Sequence, residues 1–352
     1  MRAASALRLT LALLSLALCA WATRAAEPAA VEAGYQWRLP RGFPPPAVPA
    51  DNPMTEDKVA LGRLLFYEPR LSIGGRHACA TCHTQSLAFT DGKARAVGAT
   101  GELHARSAMS LANVAYNPVY TWTDAGFMSL EAQALQPLLN RHPIEMGLAG
   151  RESVVLAELA SDARYRDAFA RAFPKDPAPV TLVNLARALA SFERTLLSGR
   201  SAFDRYVFDD ERNAFDAAAR RGMALFYSAR IGCAECHSGI NFSGPIAHAG
   251  AGRVEPAFVD TGDGRFRVPT LRNVAVTSPY MHDGAVRTLV EVIDNYARTG
   301  RGHPRNEAAL ATPVDARLRP FALGPVERED LLAFLQSLTD AEFLGDPRFG
   351  TP

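Results

Sequence analysis

Two short strings, Cys79-Ala-Thr-Cys82-His83 and Cys233-Ala-Glu-Cys236-His237, each set two thiols three residues apart with an imidazole directly after the second. Thiols at this spacing can add to the two vinyl groups of a porphyrin, and the adjoining imidazole is then held beneath the iron. The spacing therefore predicts two covalent haem c groups, attached through Cys79, Cys82, Cys233 and Cys236, with His83 and His237 as proximal iron ligands. One string alone would equally fit a redox dithiol or half a zinc site; two, each with its histidine in the same place, favour haem.

The remaining cysteine, Cys19, falls in a stretch that reads as a secretory signal: Arg2 and Arg8, an apolar run from Leu9 to Ala20, then Ala20-Trp21-Ala22 as a cleavage site. Residues 1–22 are thus expected to be removed and the mature chain to work in the periplasm, with all four remaining cysteines used by haem and none left for a disulfide. Charge is nearly balanced, 38 basic against 37 acidic residues, which gives nucleic-acid binding no support. Past the signal no apolar run is long enough to span a bilayer.

The chain repeats itself at long period. Leu61-Gly62-Arg63-Leu64-Leu65-Phe66-Tyr67 precedes the first string and Arg221-Gly222-Met223-Ala224-Leu225-Phe226-Tyr227 the second. Phe89-Thr90-Asp91-Gly92 and Phe242-Ser243-Gly244 follow, then Ser110-Leu111-Ala112-Asn113-Val114-Ala115 and Thr270-Leu271-Arg272-Asn273-Val274-Ala275. The pattern predicts a mainly α fold of two cytochrome c-type domains related by duplication, residues 54–200 and 201–352, with the haems near the domain interface. A Pro-rich arm, residues 23–53, is expected to lie extended along the surface. Apolar residues at helical spacing predict helical segments over Ser153–Phe173 and Thr181–Leu197, and a last helix starting at Gly324-Pro325.

The side chain opposite each proximal histidine decides function, because a six-coordinate iron passes electrons whereas an open one can meet peroxide. Ser129-Leu130 and Thr288-Leu289 read as starts of corresponding helices. Eight residues past the Ser or Thr stands Pro137 in the first half and Tyr296 in the second. Proline offers iron nothing, while a tyrosine phenolate can ligate it; this predicts an open first haem and a second closed by Tyr296. Met281 and Met223 are rival ligands, and a domain-edge tyrosine is the structural alternative.

The stretch Val268-Pro269-Thr270-Leu271-Arg272-Asn273 with Pro279-Tyr280-Met281-His282-Asp283-Gly284 resembles the bacterial dihaem cytochrome c peroxidase and MauG superfamily. In the peroxidases the position fourteen after this histidine is a methionine ligand and in MauG-like proteins a tyrosine; fourteen after His282 is Tyr296. Ser107-Ala108-Met109-Ser110-Leu111-Ala112-Asn113-Val114-Ala115-Tyr116 and Glu145-Met146-Gly147-Leu148-Ala149-Gly150 are similar to the MbnH-like dihaem enzymes. The resemblance implies an oxidoreductase that uses hydrogen peroxide, through high-valent iron, to oxidise a tryptophan on a periplasmic partner protein, to kynurenine in the MbnH-like case. It implies a distal pocket over the open haem formed by Gln133, Pro137 and Glu145, with Glu145 moving a proton between the peroxide oxygens. It also implies that Trp122 relays electron holes between the haems, and that a calcium ion between them is held by the Asn113 side chain and the Thr277 and Pro279 carbonyls.

Each residue also has a structural alternative: Glu145 as a helix-start carboxylate, Gln133 as a helix-surface residue, Trp122 as packing, and Asn113 as a turn cap. Two further functions fit the same motifs. One is a peroxidase drawing electrons from a small cytochrome; the other is a dihaem electron carrier in which His104 closes the first haem. A surface tryptophan found in MauG six residues before the second proximal histidine is replaced here by Ile231, which leaves Tyr227 or the haem edge as the exit route.

Overall fold

The computed structural model describes residues 35–123, 125–302 and 313–352; the signal segment with Cys19 lies outside them. In chain order the helices are α1 (Glu56–Phe66), α2 (Cys79–Cys82), α3 (Leu130–Leu139), α4 (Glu152–Ser161), α5 (Ala163–Ala172), α6 (Leu182–Glu193), α7 (Ala202–Phe208), α8 (Ala217–Phe226), α9 (Leu289–Thr299), α10 (Pro325–Gln336) and α11 (Ala341–Gly345). The only sheet among the described residues is a two-stranded antiparallel ribbon, β1 (Phe258–Asp260) and β2 (Arg265–Arg267), with Val259 opposite Phe266. The fold is mainly α, with the duplication visible in its packing.

Each half is organised by one helix crossing that turns on a glycine. A Cβ on Gly62 of α1 would stand 2.0 Å from the Ala188 carbonyl oxygen and 2.8 Å from the Phe192 Cβ of α6. A Cβ on Gly222 of α8 would stand 1.9 Å from the Asp330 carbonyl oxygen and 2.9 Å from the Phe334 Cβ of α10. Only a residue without a side chain lets two helix backbones approach this closely, so the glycine shared by the two repeats is a packing requirement. Phe66 and Phe192 meet at 5.2 Å in one half and Phe226 and Phe334 at 5.0 Å in the other, filling the space beside each crossing.

A second repeated device ties the halves together. Asn113 and Asn273 both adopt the left-handed conformation, φ 57° and 60°. The Asn113 amide donates to the Ser198 carbonyl and its oxygen accepts the Ser198 N–H, both at 2.8 Å. The Asn273 oxygen likewise accepts the Asp340 N–H at 2.8 Å, and its amide donates to the Ser198 hydroxyl at 2.9 Å. All four residues are buried. Asparagine suits both tasks, tolerating positive φ and carrying donor and acceptor on one short side chain.

Three features differ from the sequence expectation. The stretch Ser153–Phe173 is two helices, because the Asp162 side chain accepts the Arg164 N–H and caps α5 where α4 ends. The Pro-rich arm is non-helical over residues 37–54 but does not merely lie on the surface. Phe43 is 6% exposed, packing edge-on against Tyr116 and beneath the Arg272 guanidinium, while the Tyr116 hydroxyl donates to the Pro44 carbonyl. The C-terminal tail returns to the first half: Phe343 and Phe349 join its core, Arg63 donates to the Gly350 carbonyl and Gln85 to the Phe343 and Asp346 carbonyls. No helix among the described residues is long and apolar enough to cross a membrane.

Candidate active site

The two Cys-x-x-Cys-His strings fold alike. In each, the histidine N–H bonds back to the first cysteine carbonyl, His83 to Cys79 and His237 to Cys233, both at 2.9 Å. Each imidazole is then oriented by a backbone carbonyl: His83 Nδ1 lies 2.7 Å from the Phe89 oxygen and His237 Nδ1 2.9 Å from the Phe242 oxygen. A carbonyl can only accept, so Nδ1 donates and Nε2 presents its lone pair. Phe89 and Phe242 hold positive φ, 61° and 50°, in the turns that bring these carbonyls back. A second carbonyl, that of Met109 or Pro269, borders each ring, and burial holds both histidines below their usual range and therefore neutral.

The residues around the strings fit covalent haem. The four thiols are unbridged. Burial pushes Cys79 and Cys233 up to about 12 and Cys82 up to about 11, and raises Cys236 as well, so all four are neutral thiols. No cluster of three or more metal-ligating side chains exists among the described residues. A cavity of about 290 Å³ opens beside the second string, lined by Cys233, Cys236, His237, Leu331, Leu335 and Tyr296. Arg267 lies in its wall, 5% exposed, donating to the Thr121 carbonyl, and burial lowers it to about 10. A buried cation beside an apolar cavity suits the carboxylate edge of a porphyrin.

Tyr296 is placed in that cavity by α9. The helix begins with Thr288, whose hydroxyl accepts the Glu291 N–H while the Glu291 carboxylate accepts the Thr288 N–H, and Tyr296 follows two turns later. Burial pushes its phenol up to about 12, with the Cys233 and Cys236 thiols acting in the same direction. Met281 lines the same cavity: a Cβ on Gly302 would meet the Met281 Sδ at 3.0 Å and Tyr296 Cε2 at 2.6 Å. Met223 lies in α8, packed on the second core.

In the first half Ser129 caps α3 by accepting the Ala132 N–H, and Pro137 sits within that helix. Lacking an N–H, Pro137 gives the Gln133 carbonyl no helical donor, and Gln133 and Pro137 share one face four residues apart. The Pro137 carbonyl accepts the Met146 N–H at 2.9 Å, which fixes Glu145 beside this helix. The Glu145 carboxylate acts electrostatically on the thiols of both Cys79 and Cys82, so it stands on the side of the first string. Burial raises it to about 7. A hairpin over residues 96–104 braces its loop: Ala99 donates to the Glu145 carbonyl at 2.7 Å, and Gly98 lies so close to the Ile144 carbonyl that a Cβ would stand 1.8 Å from it. His104 closes this hairpin, its Nδ1 3.8 Å from Glu145 and its ring also bonded to the Ile144 carbonyl, so in this conformation it is engaged with the Glu145 loop.

Trp122 lies in the wall between the halves. Its indole N–H donates to the Ser107 carbonyl at 3.1 Å, and it lines the second cavity with Thr90–Lys93 from the first half and Pro269 from the second. Thr277 and Pro279 line the same space, but Asn113 does not; both of its side-chain atoms are bonded to Ser198. The Asn113 oxygen accepts one N–H, which leaves it a second lone pair. Tyr227 is 49% exposed on the surface of the second half, whereas Ile231 is buried. One acidic group escaped the sequence reading: Glu193, at the end of α6, is 6% exposed and burial raises it to about 8.

The family model for di-haem cytochrome c peroxidase matches residues 56–212, and that for cytochrome c matches residues 219–339. The methylamine utilization protein MauG of Methylorubrum extorquens is 36% identical over 312 residues, 86% of this chain and 83% of that protein. The chain belongs to the dihaem cytochrome c peroxidase and MauG family. As a member of that family it is an enzyme acting with hydrogen peroxide and carries two haem c groups. The cytochrome c551 peroxidase of Pseudomonas aeruginosa is 33% identical, over 82% of this chain and 80% of that one. The crystal structure of a MauG-like protein associated with microbial copper homeostasis superposes with a TM-score of 0.85 at 35% identity, covering 91% of this chain and 99% of that one.

Proposed function

We propose that this dihaem enzyme uses hydrogen peroxide to oxidise a tryptophan on a partner protein, and that the reaction takes place in the periplasm. The observation that carries the reading is the inequality of the two sites. Tyr296 stands in the cavity of His237, and Pro137 occupies the corresponding helix position in the first half. Haem, when bound, supplies the electron transfer with peroxide.

The protein's own groups do the rest. In the first half, the Glu145 carboxylate takes a proton from one peroxide oxygen and returns it to the other, so that the departing oxygen leaves as water. Pro137 offers a bound haem no ligating atom, and Gln133 would donate a hydrogen bond to peroxide. In the second half, Tyr296 would hold the iron through its phenolate, whose negative charge would favour the oxidised states and suit that site to storing an oxidising equivalent. Trp122, placed between the halves, connects the two. A substrate too large to enter the Glu145 pocket is then oxidised from the surface, through Tyr227 or the edge of the second haem. A calcium ion between the haems would be held by the Asn113 oxygen and the Thr277 and Pro279 carbonyls.

Met281 favours a second reading. A thioether ligand in the Tyr296 cavity would make the second haem an electron donor and the protein a peroxidase fed by a small cytochrome. Mass spectrometry of periplasmic proteins treated with peroxide, with and without the holoenzyme, distinguishes the two. Tryptophan oxidation on a defined protein only in the enzyme's presence is the expected result. An unmodified proteome, together with rapid turnover of a reduced small cytochrome, would overturn the first reading in favour of the second.

A further inference from the structure

Glu193 has no assigned role and no partner that explains it. Its Oε2 is buried without a hydrogen bond. The adjacent Arg194 is held elsewhere, its Nη1 2.8 Å and its Nη2 2.9 Å from the two oxygens of Glu131, which also accepts from Asn52. Yet Glu193 acts electrostatically on the Cys79 thiol.

The internal repeat shows where this residue stands. Gly62 packs on Ala188 and Phe192 as Gly222 packs on Asp330 and Phe334, and Asn113 receives the Ser198 N–H as Asn273 receives that of Asp340. Both correspondences share one spacing along the chain, so Glu193 occupies the place of Leu335. Leu335 lines the second cavity with Cys233, His237 and Tyr296. The first haem therefore has a carboxyl group in its wall where the second has hydrocarbon.

A buried carboxyl group beside a redox centre binds its proton more tightly when the centre carries one positive charge fewer. We infer that Glu193 is the redox-linked proton site of the first haem, protonated when the iron is ferrous and ionised when it is ferric. When an external one-electron donor reduces the iron, one proton moves from solvent onto a Glu193 carboxylate oxygen; oxidation releases both. The haem and carboxyl together keep the same charge, so the first half accumulates no positive charge as it is oxidised. The inference goes beyond the tryptophan reading and rests only on haem attachment at Cys79 and Cys82.

The groups facing Glu193 do not mimic this behaviour. Tyr120 is pushed up to about 12, Glu131 is held down by Arg194, and Cys79 becomes a thioether. Glu145 also borders the first haem, so the test is run on holoenzyme carrying Glu145→Gln. Spectroelectrochemical titration of the ferric–ferrous couple between about pH 6 and pH 9 reads the proton directly. The first haem's potential should fall by about 59 mV per pH unit, one proton per electron, between the proton affinities of the two oxidation states. Adding Glu193→Gln should flatten the slope, and Glu193→Leu, which installs the residue the second half carries there, should do the same. Both variants are first checked for two covalent haems by intact mass. A pH-independent first-haem potential with Glu193 present, or an undiminished slope in either variant, would overturn the inference.

Discussion

Replacing Glu145 by glutamine tests whether its proton governs the reaction with peroxide. Burial raises this carboxyl to about 7. Only the ionised form can take a proton from peroxide, so a one-site titration leaves about a tenth of the enzyme active at pH 6 and about nine-tenths at pH 8. The second-order rate of the first haem with peroxide should rise about tenfold across that interval and level off above it. Stopped-flow absorbance of the ferric holoenzyme mixed with peroxide gives this rate at each pH. Glu145→Gln should lower it by about 10²–10⁴ and abolish the rise, the usual range for losing a positioned general base. His104, 3.8 Å away, is held below its usual range by burial and so loses its proton before Glu145 does; His104→Gln should leave the profile in place. A variant Glu145→Gln within about threefold of the native rate, or a flat native profile, would refute the assignment.

The other expectations concern the scaffold and the relay. Gly222→Ala should destabilise the holoprotein by about 1–3 kcal/mol or more, and Gly62→Ala comparably, because the new methyl meets backbone; an unchanged urea midpoint would contradict the close crossing. Arg272 and Asp204 form a fully buried pair at 2.6 Å, so Arg272→Met should cost about 3–5 kcal/mol by thermal unfolding, and the added change Asp204→Leu should recover much of it. Cys233→Ala with Cys236→Ala should leave one covalent haem by intact mass. Trp122→Phe should slow oxidation of the partner protein more than the initial reaction with peroxide; equal effects would remove it from the relay.

What could be read from the sequence was what is contiguous. The haem strings and the repeated Gly62 and Gly222 motifs are local, and the capping residues Ser129 and Thr288 set the helix register that pairs Pro137 with Tyr296. Long-range commitments were not legible. The Asn113 oxygen accepts the Ser198 N–H from 85 residues away, a bond that no local pattern announces. The carbonyls of Phe89 and Phe242 orient the proximal histidines through backbone turns that no side-chain pattern announces. The apolar period runs through Asp162, which hides the break between α4 and α5. Glu193 had a signal in the repeat, Phe192-Glu193 against Phe334-Leu335, visible only once α6 is aligned with α10.

The inequality of the two haems is tested most directly by low-temperature EPR of the resting ferric holoenzyme beside its Tyr296→Phe variant. The native protein should show one high-spin ferric signal from the first haem and one low-spin signal from the second, and the variant should lose or shift the low-spin signal alone. Two low-spin haems in the native protein, or a low-spin signal unchanged in Tyr296→Phe, would contradict it.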